Sequence, residues 1–195
     1  MSTASPAPGP AGPVLHPLLS GRWSPTTFDP DDEVTPEEVD SLLEAARWAP
    51  SAGNSQPWAF VVGVRGDPTH ARLVRHLARS SAAWAPSAGL LVANLAHRRV
   101  QDTDWEYSEF SLYDLGQDVA HLTVQAASLG LSVRQFRAFD RAGVAAEFAV
   151  PDHWEVTTLA AVGRVPPSAG LPPGAGAAAP ERERRPRDEL RWPAG

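Results

Sequence analysis

The segment from Ala49 to Trp58 (APSAGNSQPW) combines small residues, two prolines and two side-chain amides. Small side chains let backbone N–H groups approach a ligand closely, and the amides of Asn54 and Gln56 offer both donors and acceptors. Such a loop suits a polar heterocycle whose edge carries mixed hydrogen-bonding groups. The same composition also fits a turn that ends a helix with an Asx-type hydrogen bond, so the segment alone leaves both interpretations open.

Other familiar catalytic patterns do not occur in the sequence. All 17 basic residues counted as Lys+Arg are arginine and there is no cysteine, which excludes Schiff-base lysines, disulfides and thiolate nucleophiles. No glycine-rich phosphate loop follows a strand pattern, and no G-x-S-x-G elbow is present. The histidines are not paired at ligand spacing, and the acidic stretches at 29–33 and 102–109 favour solvated loops. We therefore expect no metal site.

Composition and charge narrow the class of protein. The chain has 195 residues, 43% of them hydrophobic, which is enough for one globular domain. Its net charge of −6 is opposite to that of proteins that bind a phosphate backbone, so nucleic acid is not an expected partner. No apolar run approaches the ~20 residues of a membrane span, and no leader-like segment begins the chain. A cytoplasmic location without a membrane partner is the expectation.

Helix and strand patterns alternate in the middle of the chain. This alternation predicts a mixed α/β or α+β sheet covered by helices. The N-terminal 1–13 should be a disordered tail, and the Pro/Gly/Ala-rich 166–180 a linker before a charged segment at 181–195. The predicted helices begin at Thr35-Pro36, at Asp67-Pro68 (continuing to Ala78), near Leu112 and at Arg141, and the predicted strands cover 58–64, 89–96, 131–136 and 156–162.

Short motifs spread over most of the chain also share the order and spacing of a known family. They are RWSPTTF at 22–28, ARWAPS at 46–51, NSQPW at 54–58, LYDLGQ at 112–117, AASLGL at 126–131, FD at 139–140, FAVP at 148–151, VG at 162–163 and RERRP at 182–186. Together they resemble the flavin-dependent nitroreductase family, over 16–163 and again over 181–192.

The resemblance implies a fold and an activity. The fold would be an α+β, nitroreductase-like sandwich in which helices flank a central mixed sheet, and two chains would form an intertwined homodimer. Residues 14–165 would be the FMN-binding domain, and 181–195 a basic arm that returns to the flavin. The activity would be FMN-dependent transfer of hydride from NAD(P)H, via flavin N5, to an electron-poor acceptor such as a nitroaromatic or a quinone. A specialised branch (dehalogenation, flavin fragmentation or dehydrogenation) and a flavin-binding protein without turnover remain alternatives.

The resemblance also assigns roles to residues. Since flavin N5 carries the chemistry, no catalytic side chain is expected. At the phosphate end, the implied FMN-binding residues are Arg22, Trp23, Ser24 and Thr26, with Arg182 and Arg184 of the arm. A loop from the partner subunit would approach the ring with Pro50, Ser51, Ala52, Asn54 and Gln56, although Asn54 and Gln56 could instead brace the loop. The backbone N–H groups of Gln135, Phe136, Arg137 and Ala138 would face N5 and O4, and Gln117 would lie at the pyrimidine edge.

The sequence departs from the family pattern at three places. Thr26 stands where a basic residue is usual, so one phosphate contact is lost or supplied elsewhere. The stretch 136–138 replaces a glycine-containing turn, and its larger side chains either hinder a close approach of the flavin or let Arg137 place positive charge beside the reduced ring. Arg164 stands where tyrosine is common. These departures bear on cofactor affinity more than on the fold.

Overall fold

The computed structural model describes residues 14–169 and 182–193. The predicted tail at 1–13 and the linker beyond residue 169 lie outside the described residues. The start of the predicted linker, Pro167–Ala169, forms a short 3-10 turn. The helices are α1 (Pro17–Gly21), α2 (Pro36–Arg47), α3 (Pro68–Val74), α4 (Arg79–Ala82), α5 (Ser111–Ser128) and α6 (Arg141–Glu147), and the strands are β1 (Trp58–Val64), β2 (Leu90–His97), β3 (Ser132–Phe136) and β4 (Trp154–Gly163).

The four strands form one sheet in the order β1-β2-β4-β3. The α+β class is confirmed, but the expected mixed sheet is wrong, because all three pairs of neighbouring strands are antiparallel. The reason is topological. Helix α5 connects β2 to β3, which run in the same direction, but β4 lies between these two strands and separates them. The alternation of helix and strand correctly indicated that α5 crosses over from β2 to β3. It could not show that β4, a later strand, would lie between these two strands.

Helix α2 begins where the sequence predicts it. Thr35 Oγ1 accepts the N–H of Glu38 at 3.2 Å, Glu38 Oε2 accepts the N–H of Thr35 at 3.0 Å, and Pro36 occupies the first turn. Arg164, just after β4, donates to Glu38 at 2.5 Å and to Asp32 at 3.1 Å. Burial alone would raise the pKa of Glu38, but its hydrogen bonds with Thr35 and Arg164 outweigh that effect and lower the pKa. Arg164 thus ties α2 to the end of the sheet.

The helix that follows β1 is shorter than the sequence predicts. Its pattern extends to Ala78, whereas α3 ends at Val74. The residues after it pair with another part of the chain: Leu77 forms a β-bridge with Phe139, and the N–H of Ala78 donates to the carbonyl of Ala138 at 3.0 Å. These tertiary hydrogen bonds replace the helical ones, so a helical spacing of apolar residues does not continue as a helix.

The sheet is covered by helices on both faces. All residues of β2 from Leu90 to Ala96 are buried, as expected for a central strand. On one face the core includes Leu42 of α2 and Leu122 of α5, and on the other it includes Leu73 of α3 and Val144 of α6. The molecule therefore has three layers, and the strand ends and connecting loops are the places left for a site.

Helix α5 is the longest element, with 18 residues, and it runs along one face of the sheet. Two carboxylates, Asp114 and Asp118, lie on its buried side together with Leu115 and Leu122. No helix of the described ranges, α5 included, is both long enough and apolar enough to cross a membrane.

Candidate functional site

Three arginines from distant parts of the chain converge on the segment that follows α1. Arg22 Nη1 donates to Ser24 Oγ at 3.1 Å, and Arg134 Nη1 donates to the Ser24 carbonyl at 2.7 Å. Arg182 donates to the carbonyls of Ser20 and Arg22. Within the described residues, none of these three guanidinium groups is ion-paired with a carboxylate. Such uncompensated positive charge, with a hydroxyl beside it, is suited to an anion.

We call Arg22, Ser24, Arg134 and Arg182 the arginine cluster. The sequence-derived candidates Arg22, Ser24 and Arg182 all lie in it, so the start of the C-terminal segment contacts the segment at 20–24. That this segment returns to a flavin stays a prediction. Arg184 does not join the cluster: it is exposed and its guanidinium donates to the carbonyl of Glu183 at 2.6 Å. Thr26 is exposed, and Trp23 lines a cavity of about 260 Å³ next to Arg22.

The loop between α2 and β1 has an unusual backbone. Gly53, Asn54 and Gln56 have φ values of +58°, +56° and +46°. For the two residues other than glycine, this left-handed conformation costs about 1 kcal/mol or more each, so the surrounding contacts must impose it. Ser51 Oγ accepts the N–H of Gln56 at 3.0 Å, and Gln56 Nε2 donates to the Asn54 carbonyl at 3.2 Å. The Gln56 side chain therefore braces the loop, one of the two roles expected for it.

Helix α5 anchors this loop through Asp114. Oδ2 of Asp114 accepts the N–H of Ala52 at 3.0 Å, and its Oδ1 accepts from Gln117 Nε2 at 3.3 Å. Asp114 is only 2% exposed, so both hydrogen bonds lie away from bulk water. Two candidates distant in the sequence, Ala52 and Gln117, are thus brought together by Asp114, a residue of the motif at 112–117 that had been given no role.

The segment between β2 and α5 also contacts the loop. The Tyr107 hydroxyl donates to the Ser55 carbonyl at 2.9 Å, and the Tyr107 ring stacks on His97 with 3.7 Å between ring centroids. Burial, and then the nearby His153, lower the pKa of His97, which favours its neutral form. Tyr107 therefore fixes the position of the loop relative to the segment between β2 and α5.

The end of β3 presents free backbone donors. In the described part of the chain, the N–H groups of Arg137 and Ala138 form no hydrogen bond. The Ala138 carbonyl is fixed by the N–H of Ala78 and by the Ser81 hydroxyl, and Phe136 packs edge-on against Trp84 with 5.0 Å between centroids. This stretch is held rigidly with its N–H groups unused, as an acceptor at a ring edge would require. The Arg137 guanidinium itself donates to the carbonyl of Thr157 at 2.8 Å, and the Gln135 side chain is exposed.

Within one chain the loop and the arginine cluster lie near opposite ends of α5. The N–H of Ala52 is hydrogen-bonded to Asp114, whereas Arg22 lines the same cavity as Thr123 and Ala127. At 1.5 Å per residue these points are about 14 to 20 Å apart along the helix. The loop of one chain is thus separated from the cluster of the same chain.

Comparison with known proteins finds similarity to one family. A sequence model described as the nitroreductase family matches residues 19–83, which include the arginine segment and the whole loop. A solved structure described as an oxidoreductase containing FMN superposes with a TM-score of 0.75 and 27% identity, over 84% of this chain and 83% of that one. The chain is similar to the nitroreductase family in the sequence of this segment and in its fold.

Among curated nitroreductase relatives, the similarity is local. The major NAD(P)H-flavin oxidoreductase of Aliivibrio fischeri is 42% identical over 50 residues, 26% of this chain and 22% of that protein. The oxygen-insensitive NAD(P)H nitroreductase of Salmonella typhimurium is 44% identical over 41 residues, 21% of this chain and 19% of that protein. The matched part therefore spans about a fifth of the length of these relatives.

Two residues of this candidate site were given no role from the sequence. Asp114 could have been found, because it lies on the apolar side of α5 with Leu115 and Leu122, where burying a carboxylate is costly unless it is hydrogen-bonded. Arg134 shares a face of β3 with Phe136, which marks it as partly buried, but its contact with Ser24 joins positions 110 residues apart. No local pattern reveals such a contact.

Proposed function

We propose that the protein is an FMN-dependent, nitroreductase-type enzyme that uses NAD(P)H to reduce an electron-poor acceptor, such as a nitroaromatic or a quinone. The observation that carries this proposal is the arginine cluster, whose guanidinium groups have no carboxylate partners among the described residues. In a chain with a net charge of −6, such a cluster is suited to a dianionic phosphate.

The residues present fit FMN at both of its ends. Arg22, Ser24 and Arg182 would hold the phosphate through charge-assisted hydrogen bonds, and the free N–H groups of Arg137 and Ala138 would meet acceptors at the ring edge. When bound, FMN supplies the hydride and electron transfer, which no protein side chain performs.

The chain's own residues orient the ring and shape the pocket. Asp114 fixes the loop by accepting the Ala52 N–H, and Tyr107 fixes it from the other side through the Ser55 carbonyl. Both contacts restrain a loop with left-handed residues, so the loop is preorganised before any ligand arrives. Names of relatives support the same assignment, since one contains FMN and others are NAD(P)H-dependent flavin oxidoreductases or nitroreductases.

We also propose that the site is shared by two copies of the chain. Large apolar side chains are exposed, among them Trp48 at 72% and Tyr113 at 68%. Trp48 lines a groove of about 780 Å³ between α1, α2 and α5, together with Leu18, Leu19 and Val124. A second copy would cover this face, and it would bring the loop of one chain to the arginine cluster of the other. The cytoplasm is the proposed location.

Sedimentation tests the shared site. At micromolar concentration the full-length protein is expected to sediment as a dimer of the 20.8 kDa chain. The physical reason is that a monomer would leave the groove and its apolar rim in water. A protein that remains monomeric while it binds FMN would contradict the sharing of the site and leave the arginine cluster as a site within one chain.

An absorbance spectrum, repeated with NADPH and then NADH under anaerobic conditions, tests the activity. The purified protein, supplied with FMN, is expected to show a flavin band at about 450 nm that bleaches on addition of the reductant and returns on addition of a quinone. A protein that neither carries nor takes up FMN would refute the proposal. A stable flavin band that neither nicotinamide bleaches would instead favour a specialised branch of the family or a flavin-binding protein without turnover.

A further inference from the structure

Three buried oxygen atoms on α5 and β2 have no hydrogen-bond partner among the described residues. They are both carboxylate oxygens of Asp118 and Oδ1 of Asn94, and each of the two side chains is 0% exposed. The amide nitrogen of Asn94 donates to Thr158 Oγ1 at 2.9 Å, so the amide oxygen is the end that is left over. When Asp118 is ionised, all three oxygens are acceptors and cannot bond to one another, which makes their burial costly.

The packing of α5 on the sheet puts these oxygens in the same layer. Asn94 lies between Val92 and Ala96 on the face of β2 that meets α5, because alternate residues of a strand share a face. Core clusters join the two elements on either side of this level, through the pairs Val92 with Leu122 and Ala96 with Leu115. Asp118 lies between the two α5 residues of these pairs, on the same buried side. Its carboxyl group and the Asn94 amide therefore occupy the same stretch of the interface between α5 and β2.

Within the described ranges, no cation faces the Asp118 carboxyl group. The two other titratable side chains that are buried there are His70, which belongs to α3 on the opposite face of the sheet, and Asp114, which is itself acidic. Burial raises the pKa of Asp118 to about 8, so at neutral pH a proton and not a cation compensates this group. Titratable groups of the neighbouring elements lie outside the layer: Glu44 and His121 at the groove, Glu38 with Arg164 beside the Leu129 carbonyl, and His97 against the Trp154 ring.

The carboxylate that anchors the loop at 50–56 lies one helical turn from Asp118. Asp114 Oδ2 accepts the N–H of Ala52 at 3.0 Å, and Asp114 and Asp118 share the buried side of α5. Because the Asp118 side chain is closed off from solvent, hydration of its ionised form requires α5 to move away from β2. Such a movement also displaces Asp114, and with it the contact that restrains the left-handed residues of the loop.

We propose that Asp118 is a positioning residue for FMN, which keeps α5 and the loop at 50–56 in their binding arrangement only while it holds a proton. The inference rests on the proposed function, in which this loop meets the flavin ring. The proton removes the charge of Asp118 and converts one of the three acceptors into a donor. When the proton is lost to solvent, the binding arrangement becomes a minor state, and FMN binds only with return of the proton. Binding at alkaline pH therefore takes up one proton from solution, with no electron transfer and no covalent change.

The test measures the Kd of FMN and the proton uptake on binding between pH 7 and pH 9, where the phosphate is dianionic. About one tenth of the protein keeps the proton at pH 9, so the Kd of wild type should rise about tenfold over this range. Calorimetry in two buffers of different ionisation enthalpy should show uptake of about one proton per FMN at pH 9. Asp118→Asn stays neutral at every pH, so its Kd should change by less than about twofold without proton uptake. Asp40→Asn, which removes an exposed carboxyl from α2, should keep the wild-type profile.

Two results would overturn the inference. One is the same pH profile of the FMN Kd in wild type and in Asp118→Asn, and the other is a loss of affinity that follows the loss of helical circular dichroism, because Asp118 would then act through global stability alone. If Asp118→Asn does not fold, the wild type still decides, since FMN binding at pH 9 without proton uptake contradicts the inference. A wild-type protein that takes up no flavin at pH 7 would refute the proposed function itself, whereas a Kd that does not depend on pH refutes only the role of Asp118.

Discussion

Arg22→Ala is expected to weaken FMN binding by about 2 to 3 kcal/mol, roughly 30- to 150-fold in Kd, because hydrogen bonds to charged groups contribute on that scale. The substitution removes the guanidinium that donates to Ser24 Oγ but keeps the Arg22 carbonyl to which Arg182 is bound. The arm should therefore stay in place, and the loss should report the side chain alone. Titration of flavin-free protein with FMN, followed by flavin fluorescence, measures the change.

Two comparisons make this result specific. Riboflavin lacks the phosphate, so wild type and Arg22→Ala should bind it with similar Kd values. Arg184→Ala removes an exposed arginine whose guanidinium, among the described residues, is bound only to the neighbouring Glu183 carbonyl, and it should change the FMN Kd by less than about twofold. If Arg22→Ala bound FMN as wild type does, Arg22 would have no part in holding the phosphate.

Local signals predicted the elements well where the deciding contacts are local. The start of α2 is determined by the Thr35 and Glu38 capping box, and α5 by apolar spacing ended by Gly130, whose φ of +75° suits a glycine that follows a helix. The short helices α1 and α4, with five and four residues, carry no periodic pattern of this kind. For such short elements, tertiary packing decides whether a helix forms.

The candidate site could be predicted only in part for the same reason. The family resemblance implied a single site for Arg22, Ser24 and the loop at 50–56, and in the structure Arg182 contacts the carbonyl of Arg22. The contact between Arg134 and Ser24 depends on β3 being the edge strand beside the chain that follows α1. Strand order is a long-range property, and the antiparallel insertion of β4 shows that the pattern of elements alone does not determine it.

The buried carboxyl group of Asp118 on α5 is expected to make the stability of the protein depend on pH. Its side chain is buried, and neither carboxylate oxygen has a hydrogen-bond partner among the described residues. Burial raises its pKa to about 8, against about 3.9 in an unfolded chain. Between these values the folded state keeps a proton that the unfolded state loses. The free energy of unfolding should therefore fall as pH rises, by about 1.4 kcal/mol per pH unit from this group and by an amount on the order of 5 kcal/mol in total.

Asp118→Asn should remove this contribution, and with it the fall in stability that the group causes as pH rises. Near pH 4 the wild type carries a neutral acid, so the variant gains nothing and its amide is as poorly paired as the acid. At pH 8 the variant should be more stable by a few kcal/mol, because the wild type has then lost the whole contribution. Urea unfolding of both proteins at matched concentration from pH 5 to 8 measures the difference, and Asp104→Asn, which removes an exposed carboxyl, is the matched control. Parallel pH profiles for wild type and Asp118→Asn would show that Asp118 is ionised in the folded protein and has found a partner there.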